Sequence, residues 1–285
     1  MSLKEAVKFA DLLEGVMSRV CALSMEEHPI IGASSGFREL DNMIGGLEAG
    51  DLIAIKGIKD SGVTSLLLGF ILRAAKTANK PIYYFGQENS VQQIARRLLS
   101  MESQVKIHAM ETGRLSIEEF DALFLGMQYL AAKDIRISDH RIDVKSICEI
   151  CAKGEHPALV VIDGLPDDGD ELEQLTELKN MAQSLQTVVV CSCWLRELGY
   201  YAMGGVDKVI RLERHSSHGV CPEESKAAIY VERNIYGKNG KADLFWDEET
   251  LTYFSKDDTK ECDIPPAEVD AYGEMIGDFS FFGGK

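Results

Sequence analysis

The sequence predicts an α/β fold in which a mostly parallel β-sheet is flanked by helices and ends in antiparallel strands. Between residues 51 and 192, short apolar runs alternate with segments of helical periodicity. This alternation is typical of a parallel sheet that is covered on both faces. From residue 207 onward, four strand-like runs follow one another with only loops between them, which indicates antiparallel strands.

The first five predicted strands are apolar runs, in chain order DLIAIKG, PIYYFG, IRIS, ALVVID and TVVVCS. Each is joined to the next by segments with apolar residues every three or four positions, which predict helices. These segments are TSLLLGFILRAAKTA, SVQQIARRLLSM, SIEEFDALFLGMQYLAA, VKSICEICA and ELEQLTELKNMAQSL. The later strands are DKVIRLER, AAIYVER, KADLFW and LTYF.

The sequence divides into three parts. Residues 30–255 form the α/β body, and residues 1–24 form an amphipathic helix before it. The apolar positions of that helix recur at Ala6, Phe9, Leu13, Val16 and Val20.

The tail at residues 256–285 is acidic and contains two adjacent prolines. It closes with three phenylalanines, Phe279, Phe281 and Phe282. This composition predicts either a loose chain end or a docking peptide in which the three rings are the anchors.

Composition indicates a soluble protein, with 45% hydrophobic and 27% charged residues among 285. No apolar run is long enough to cross a bilayer. Glu5 and Asp11 do not suit a secretory signal, so we expect a cytoplasmic location without membrane contact. The net charge of −16 has the wrong sign for broad binding to a phosphate backbone.

Three groups of cysteine and histidine residues have ligand-like spacing but do not predict a structural zinc site. Structural zinc takes about four protein ligands, and each group lacks the remainder of such a set. The groups are Cys148 with Cys151, Cys191 with Cys193, and His215 and His218 with Cys221.

The segment GIKDSGVTS has the frame of a phosphate-binding loop between a predicted strand and a predicted helix. Glycines allow backbone N–H groups to close around phosphate, and the helix N-terminus adds its positive end. Val63 occupies the position where such a loop needs lysine, so we expect weakened binding of ATP and Mg²⁺. The predicted binding residues are Gly57, Lys59, Ser61, Gly62, Thr64 and Ser65, and Thr64 is also a predicted Mg²⁺ ligand.

Two acidic residues follow predicted parallel strands, where the ligand crevice of an open α/β sheet lies. Asp163 ends ALVVID and is predicted to hold the metal through water. Glu88 follows PIYYFG and is predicted to orient a water for attack on the terminal phosphate. Within the loop, Lys59 is either a substitute for the missing lysine or a solvated side chain, and Lys56 is a poorer substitute.

The chain resembles the C-terminal motor domain of DnaB-like replicative helicases, within the RecA-like ATPases, from its first helix to about Phe254. The resemblance rests on GASSGFRELDNMIGGLEAGDLIAIKG, FGQENSVQQIARRLL, ETGRLSIEEFDAL, ELKNMAQSL and VERNIYGKNGK. It implies a RecA-like P-loop fold and a role in DNA replication. It also implies that Arg233 reaches the ATP of a neighbouring subunit. The first helix is then a linker helix for self-association or for contact with replication proteins.

The chain departs from this family in its cations and its DNA-binding loops. Val63 and Val231 stand where the family has lysines, and Cys193 follows Ser192 where Ser-Gln is usual, although Arg196 is retained. The loop that follows Asp163 is GLPDDGDELEQ, which is acidic where the family is basic.

Two hypotheses follow from the retained and the lost residues. In the first, the chain is a scaffold or regulator with impaired ATP hydrolysis and weak DNA binding. The alternative is an active ATP-dependent ring helicase in which Lys59 is the substitute cation.

Deleting the helix Ser2–Leu23 should reduce the oligomeric mass, because the resemblance implies that this helix docks on a neighbouring subunit. Multi-angle light scattering of the two proteins measures the change. An unchanged mass would remove the helix from the assembly.

Overall fold

The computed structural model describes residues 8–25, 30–58, 60–166, 170–193, 204–214 and 225–255. The helices are α1 (Phe9–Ser24), α2 (Arg38–Ile44), α3 (Val63–Thr77), α4 (Val91–Ser103), α5 (Ile107–Thr112), α6 (Ile117–Ala131), α7 (Val144–Ala152) and α8 (Glu171–Leu185). The strands are β1 (Leu52–Gly57), β2 (Ile82–Gly86), β3 (Ile135–Ser138), β4 (Leu159–Asp163), β5 (Val188–Cys193), β6 (Lys208–Arg214), β7 (Ser225–Asn234), β8 (Gly240–Asp247) and β9 (Thr252–Phe254).

The strands form one sheet in the order β3-β2-β4-β5-β1-β6-β7-β8-β9. The pairs from β3 to β6 are parallel, and those from β6 to β9 are antiparallel. The predicted α/β class with a strand-rich antiparallel end is therefore confirmed.

Strand β6 was predicted to be antiparallel, like the strands that follow it. It is antiparallel to β7 on one side but parallel to β1 on the other. Hydrogen bonds between Asp207 and Leu52 hold the starts of β6 and β1 side by side. The Leu52 N–H donates to the Asp207 carboxylate over 2.7 Å, and the Asp207 N–H donates to the Leu52 carbonyl over 2.9 Å. As a result, the C-terminal end of β6 lies at the same sheet edge as the end of β1.

A buried lysine, Lys208, and a partly buried lysine, Lys179, form ion pairs at the opposite edge of the sheet. Lys208 is 1% exposed, and its Nζ lies 2.5 Å from Asp51 Oδ2 and 3.0 Å from the Gly46 carbonyl. Lys179 Nζ lies 2.6 Å from Asp207 Oδ2. A buried charge is tolerated only when it is paired and hydrogen-bonded, so these contacts fix how the chain enters β1 and β6.

Core side chains lie on both faces of the sheet, as the pleat of the strands dictates. In β1, Ile53 and Ile55 join one apolar cluster, while Leu52 and Ala54 join the other. Helices α2, α3 and α4 contribute buried residues to the first cluster, and α7 and α8 contribute to the second.

Side-chain caps explain where several helices begin. Ser90 caps α4 and Ser116 caps α6, and in both cases the third helical residue, Gln93 or Glu119, bonds back to the cap. Asp143 accepts the Ser146 N–H at the start of α7. Both the caps and the apolar periodicity depend on residues close together in sequence, which is why these helices were predictable.

The short helices α2 and α5 were not predicted, because six or seven residues are too few for a clear apolar period. Helix α1 begins at Phe9, after an extended Lys8, and none of its residues is buried. The tail 256–285 lies outside the described residues. Within the described ranges, no helix has both the length and the apolar character that a membrane span requires.

Candidate nucleotide-binding site

A cleft of about 570 Å³ lies at the edge where the parallel strands end. Small-molecule sites occupy about 300–1,000 Å³ and favour this edge of an α/β sheet. Its lining residues include Gly57, Asp60, Ser61, Gly62, Val63, Thr64, Ser65, Glu88, Arg97, Arg141, Asp163, Gly164, Ser192, Cys193, Arg214 and Trp246. The cleft therefore contains all but Lys59 of the predicted ATP and Mg²⁺ positions, together with Glu88. Lys59 lies outside the described residues.

The phosphate loop needs glycine at both of its glycine positions. A Cβ at Gly57 would lie 2.5 Å from Val63 Cγ2 and 2.6 Å from Ser61 Oγ. Gly62, the N-cap of α3, has a φ of +86°, and a Cβ there would lie 2.6 Å from Tyr253 Oη. The loop is thus tightly folded against α3, whose N-terminus presents backbone N–H groups and a partial positive charge.

Val63 occupies the position of the missing lysine as a partly buried apolar side chain. It packs against the main core cluster and lies over Gly57. The neighbouring Ser61 hydroxyl is buried and has no hydrogen-bond partner among the described residues. A buried hydroxyl without a partner is uncommon and is compatible with a bound ligand group.

Asp163 is the centre of a hydroxyl network at the end of β4. Its Oδ2 accepts hydrogen bonds from Thr64 Oγ1 over 2.7 Å and from Tyr84 Oη over 2.8 Å. Its Oδ1 accepts one from Ser192 Oγ over 3.1 Å, and Ser192 Oγ in turn accepts the Gly164 N–H over 2.7 Å. Thr64 and Asp163 are thereby brought together as the sequence predicted, and an oxygen-only donor set suits Mg²⁺.

Tyr84 remains a neutral donor in this network. Burial raises the pKa of its hydroxyl well above the usual value, and the adjacent Asp163 carboxylate raises that pKa further. The hydroxyl therefore keeps its proton at physiological pH and holds the carboxylate in place.

Three arginines that the sequence did not predict also line the cleft. They are Arg97 on α4, Arg141 after β3, and Arg214 at the end of β6. Arg214 was not predicted because β6 was expected to be antiparallel. Only the parallel pairing of β6 with β1 places the C-terminal end of β6 beside the phosphate loop. Arg97 follows Glu88 on the next helix, and its charge acts on Tyr84. That proximity was not visible from sequence spacing.

Arg233 does not line this cleft. It lies at the opposite edge of the sheet, where it pairs with Val209 near the start of β6, and its Nε donates to the Val206 carbonyl over 3.1 Å. Val231 is 2% exposed and belongs to the core. Lys56 forms an ion pair of 2.8 Å with Glu232, so it is not presented to the cleft.

The cysteine pairs lie on single elements, α7 and β5. Burial raises the pKa of Cys148 to about 11 and that of Cys151 to about 12, so both remain thiols at neutral pH. His215, His218, Cys221 and Arg196 lie outside the described residues, as do Asp167 and Asp168 of the acidic loop.

A family model described as the DnaB-like helicase C-terminal domain matches residues 32–198, more than half of the chain. The chain belongs to the DnaB-like helicase C-terminal domain family. The matched segment includes the phosphate loop, Glu88 and Asp163, whereas β6–β9 lie beyond it. This membership confirms the resemblance that the sequence motifs indicated.

Curated members with similar sequences are replicative DNA helicases, so the family is one involved in DNA replication. The chain is 37% identical over 108 residues to DnaB of Synechocystis, across 38% of the chain and 12% of that protein. It is 28% identical over 159 residues to DnaB of Geobacillus stearothermophilus, across 54% and 35%. A match at 24% identity with DnaB of Leifsonia xyli covers 85% and 57%. The chain thus spans 12–57% of the lengths of these relatives.

Solved structures show the RecA-like P-loop fold. One solved ATPase domain superimposes with a TM-score of 0.74 at 17% identity, over 88% of this chain and 99% of that one. A DnaB-like replicative helicase, studied with its interactions with primase, gives a TM-score of 0.71 at 17% identity, over 88% and 67%. At this identity the likeness concerns the fold.

Gly62→Ala should lower the free energy of unfolding by about 1–3 kcal/mol, because alanine is strained at positive φ and its Cβ would meet Tyr253. Gly69→Ala in the same helix is the control, since a Cβ there meets nothing within 4 Å. Inside a helix, that change should stabilise by about 0.5–1 kcal/mol. Urea denaturation measures both variants, and wild-type stability in Gly62→Ala would contradict the tight loop.

Proposed function

We propose that this DnaB-family domain binds ATP with Mg²⁺ in the cleft, hydrolyses it slowly and acts as a scaffold or regulator in DNA replication. The proposal rests on the presence of Val63 in the phosphate loop. This residue occupies the lysine position of an otherwise intact phosphate loop and adds an apolar surface there instead of a charge.

The residues of the cleft fit a magnesium nucleotide. The phosphates would lie against the loop at Gly57 and Gly62 and the N-terminus of α3. The buried Ser61 hydroxyl could donate a hydrogen bond to them. Thr64 and Asp163 would hold the metal, which when bound neutralises charge on the phosphates. Glu88 stands exposed in the same cleft, where its carboxylate can orient a water.

The loss of a cation affects binding less than it affects catalysis. A hydrogen bond to a charged group contributes about 1.5–3 kcal/mol net, so ATP binding is weakened but survives. Cationic stabilisation of a transferring phosphoryl group is worth about 10³–10⁵ in rate. With Val63 in the loop and Val231 in the core, we propose that two such cations are absent.

Weak DNA binding is proposed from the acidic surface beyond β4. Asp170 caps α8, accepting the N–H groups of Leu172 over 2.8 Å and of Glu173 over 3.1 Å. Glu171 and Glu173 add negative charge to the first turn. These carboxylates stabilise the helix N-terminus, but they repel a phosphate chain.

A partner for α1 is proposed from its exposed apolar residues. Phe9 is 74% exposed, and Leu12, Val16, Met17 and Val20 are 51–58% exposed. A helix that buries none of these residues against the described part of its own chain is expected to bury them against another. We propose a linker role for residues 1–24, with a second copy of the chain or a replication protein as the partner, and retain the tail as a second docking segment.

An active ATP-dependent helicase is the second candidate function. The retained Glu88 and Asp163 favour it, and so do the arginines that line the cleft. In this case Lys59 would be the substitute cation.

The wild-type protein should hydrolyse ATP at or near the background rate, with or without single-stranded DNA. Val63→Lys should raise turnover by at least about tenfold, because it restores a cation at the phosphates. Val63→Met is the matched control, since it adds length without charge. A phosphate-release assay measures all three.

Two results would instead favour the helicase. These are brisk, DNA-stimulated turnover by the wild type and the loss of that turnover in Lys59→Ala.

Electrophoretic mobility shifts at low salt should show weak binding of single-stranded DNA, because the protein is strongly acidic. A basic DNA-binding protein of similar size serves as the positive control. Tight retention that falls steeply with salt would contradict this part of the proposal.

A further inference from the structure

Two side chains from the C-terminal strands donate hydrogen bonds to consecutive carbonyl groups of the phosphate loop. Tyr253 Oη donates to the carbonyl of Ser61, and the Arg214 guanidinium donates to the carbonyl of Asp60. Both donors belong to the C-terminal strands, β9 and β6, which lie beyond the segment that the family model matches.

Trp246 of β8 joins these two donors. Its ring contacts that of Tyr253, with 4.6 Å between the ring centroids, and the Arg214 guanidinium lies 4.6 Å from the Trp246 ring. Trp246 and Tyr253 face each other across the β8–β9 pair. They are 9% and 4% exposed, so the arrangement is packed and not a chance surface contact.

We infer that Arg214, Trp246 and Tyr253 form a clamp that sets the orientation of the loop peptides, with Tyr253 as a positioning residue for nucleotide phosphate. This inference rests on the proposed binding of ATP in the cleft.

Peptide geometry explains how the clamp acts. In a trans peptide the C=O and the following N–H point in opposite directions. Holding the Ser61 carbonyl toward Tyr253 therefore directs the Gly62 N–H away from Tyr253. A peptide that turned over would replace an N–H donor with a carbonyl oxygen, which repels phosphate.

The clamp matters more in this chain than in a loop that has its lysine. With Val63 in place of a cation, phosphate binding depends on correctly directed N–H groups. The loop also contains Asp60 at a φ of +63°, a backbone conformation that persists only when its surroundings hold it. The Arg214 contact to the Asp60 carbonyl supplies that restraint.

Burial keeps Tyr253 in its donor form. It raises the pKa of the Tyr253 hydroxyl well above its usual value, and the positive charge of Arg214 opposes this effect only in part. The hydroxyl stays protonated and can donate to Ser61 throughout the neutral pH range.

Tyr253→Phe in the full chain tests the inference because it removes the hydroxyl and keeps the ring. Isothermal titration should show that the Kd for Mg·ATP rises about three- to tenfold, the factor expected for one net hydrogen bond. The Kd for AMP, which lacks the β- and γ-phosphates, should change less than twofold. Hydrogen exchange should become faster at the amides of residues 60–64.

Tyr83→Phe is the matched control. The Tyr83 hydroxyl accepts a hydrogen bond of 2.6 Å from Arg136, whose guanidinium lies 5.3 Å from the Tyr83 ring. The pair therefore repeats the tyrosine–arginine contact outside the cleft. Tyr83→Phe should leave the ATP affinity and the exchange of residues 60–64 at wild-type values.

The outcomes separate the clamp from the proposed function. Unchanged ATP affinity and unchanged loop exchange in Tyr253→Phe would overturn the clamp. Equal losses of ATP and AMP affinity would also overturn it, because they would indicate a general structural role. If the wild type binds no ATP, the proposed function fails, and the exchange measurement alone decides whether the clamp holds the loop.

Discussion

The cleft depends on the hydrogen bonds that the carboxylate of Asp163 accepts. This carboxylate joins the end of β4 to Tyr84 of β2, Ser192 of β5 and Thr64 of α3 through hydrogen bonds of 2.7–3.1 Å. Three strands and the loop helix are therefore connected at one residue. Because parallel strands all end at this edge, a single carboxylate can organise a site whose members are far apart in sequence.

The cleft keeps its shape and its acids but not the lysine of its phosphate loop. Val63 preserves the packing of the loop against α3, since its methyl lies over Gly57, so the fold does not require the lysine. Strands β6 and β9 also hold this loop, because Arg214 and Tyr253 donate hydrogen bonds to the carbonyls of Asp60 and Ser61.

The strand and helix pattern was largely predictable because it depends on local periodicity and caps. The two acids and the glycine frame were predictable because they follow strands directly. The arginines of the cleft were not, since Arg97, Arg141 and Arg214 come from three elements that only the sheet order brings together. Arg233 lies at the opposite edge of the sheet from the cleft of its own chain, and its role toward the ATP of a neighbouring subunit stays a prediction.

The sequence by itself determined the class of fold, the loop with Val63 in place of lysine, and the positions of Glu88 and Asp163. Only the tertiary structure decided that β6 lies parallel to β1 and that Arg214 and Tyr253 grip the loop. The reason is physical. Periodicity and capping are set by neighbours within about one helical turn or strand. The contacts to the carbonyls of Asp60 and Ser61 join positions 154 and 192 residues apart, which no local pattern encodes.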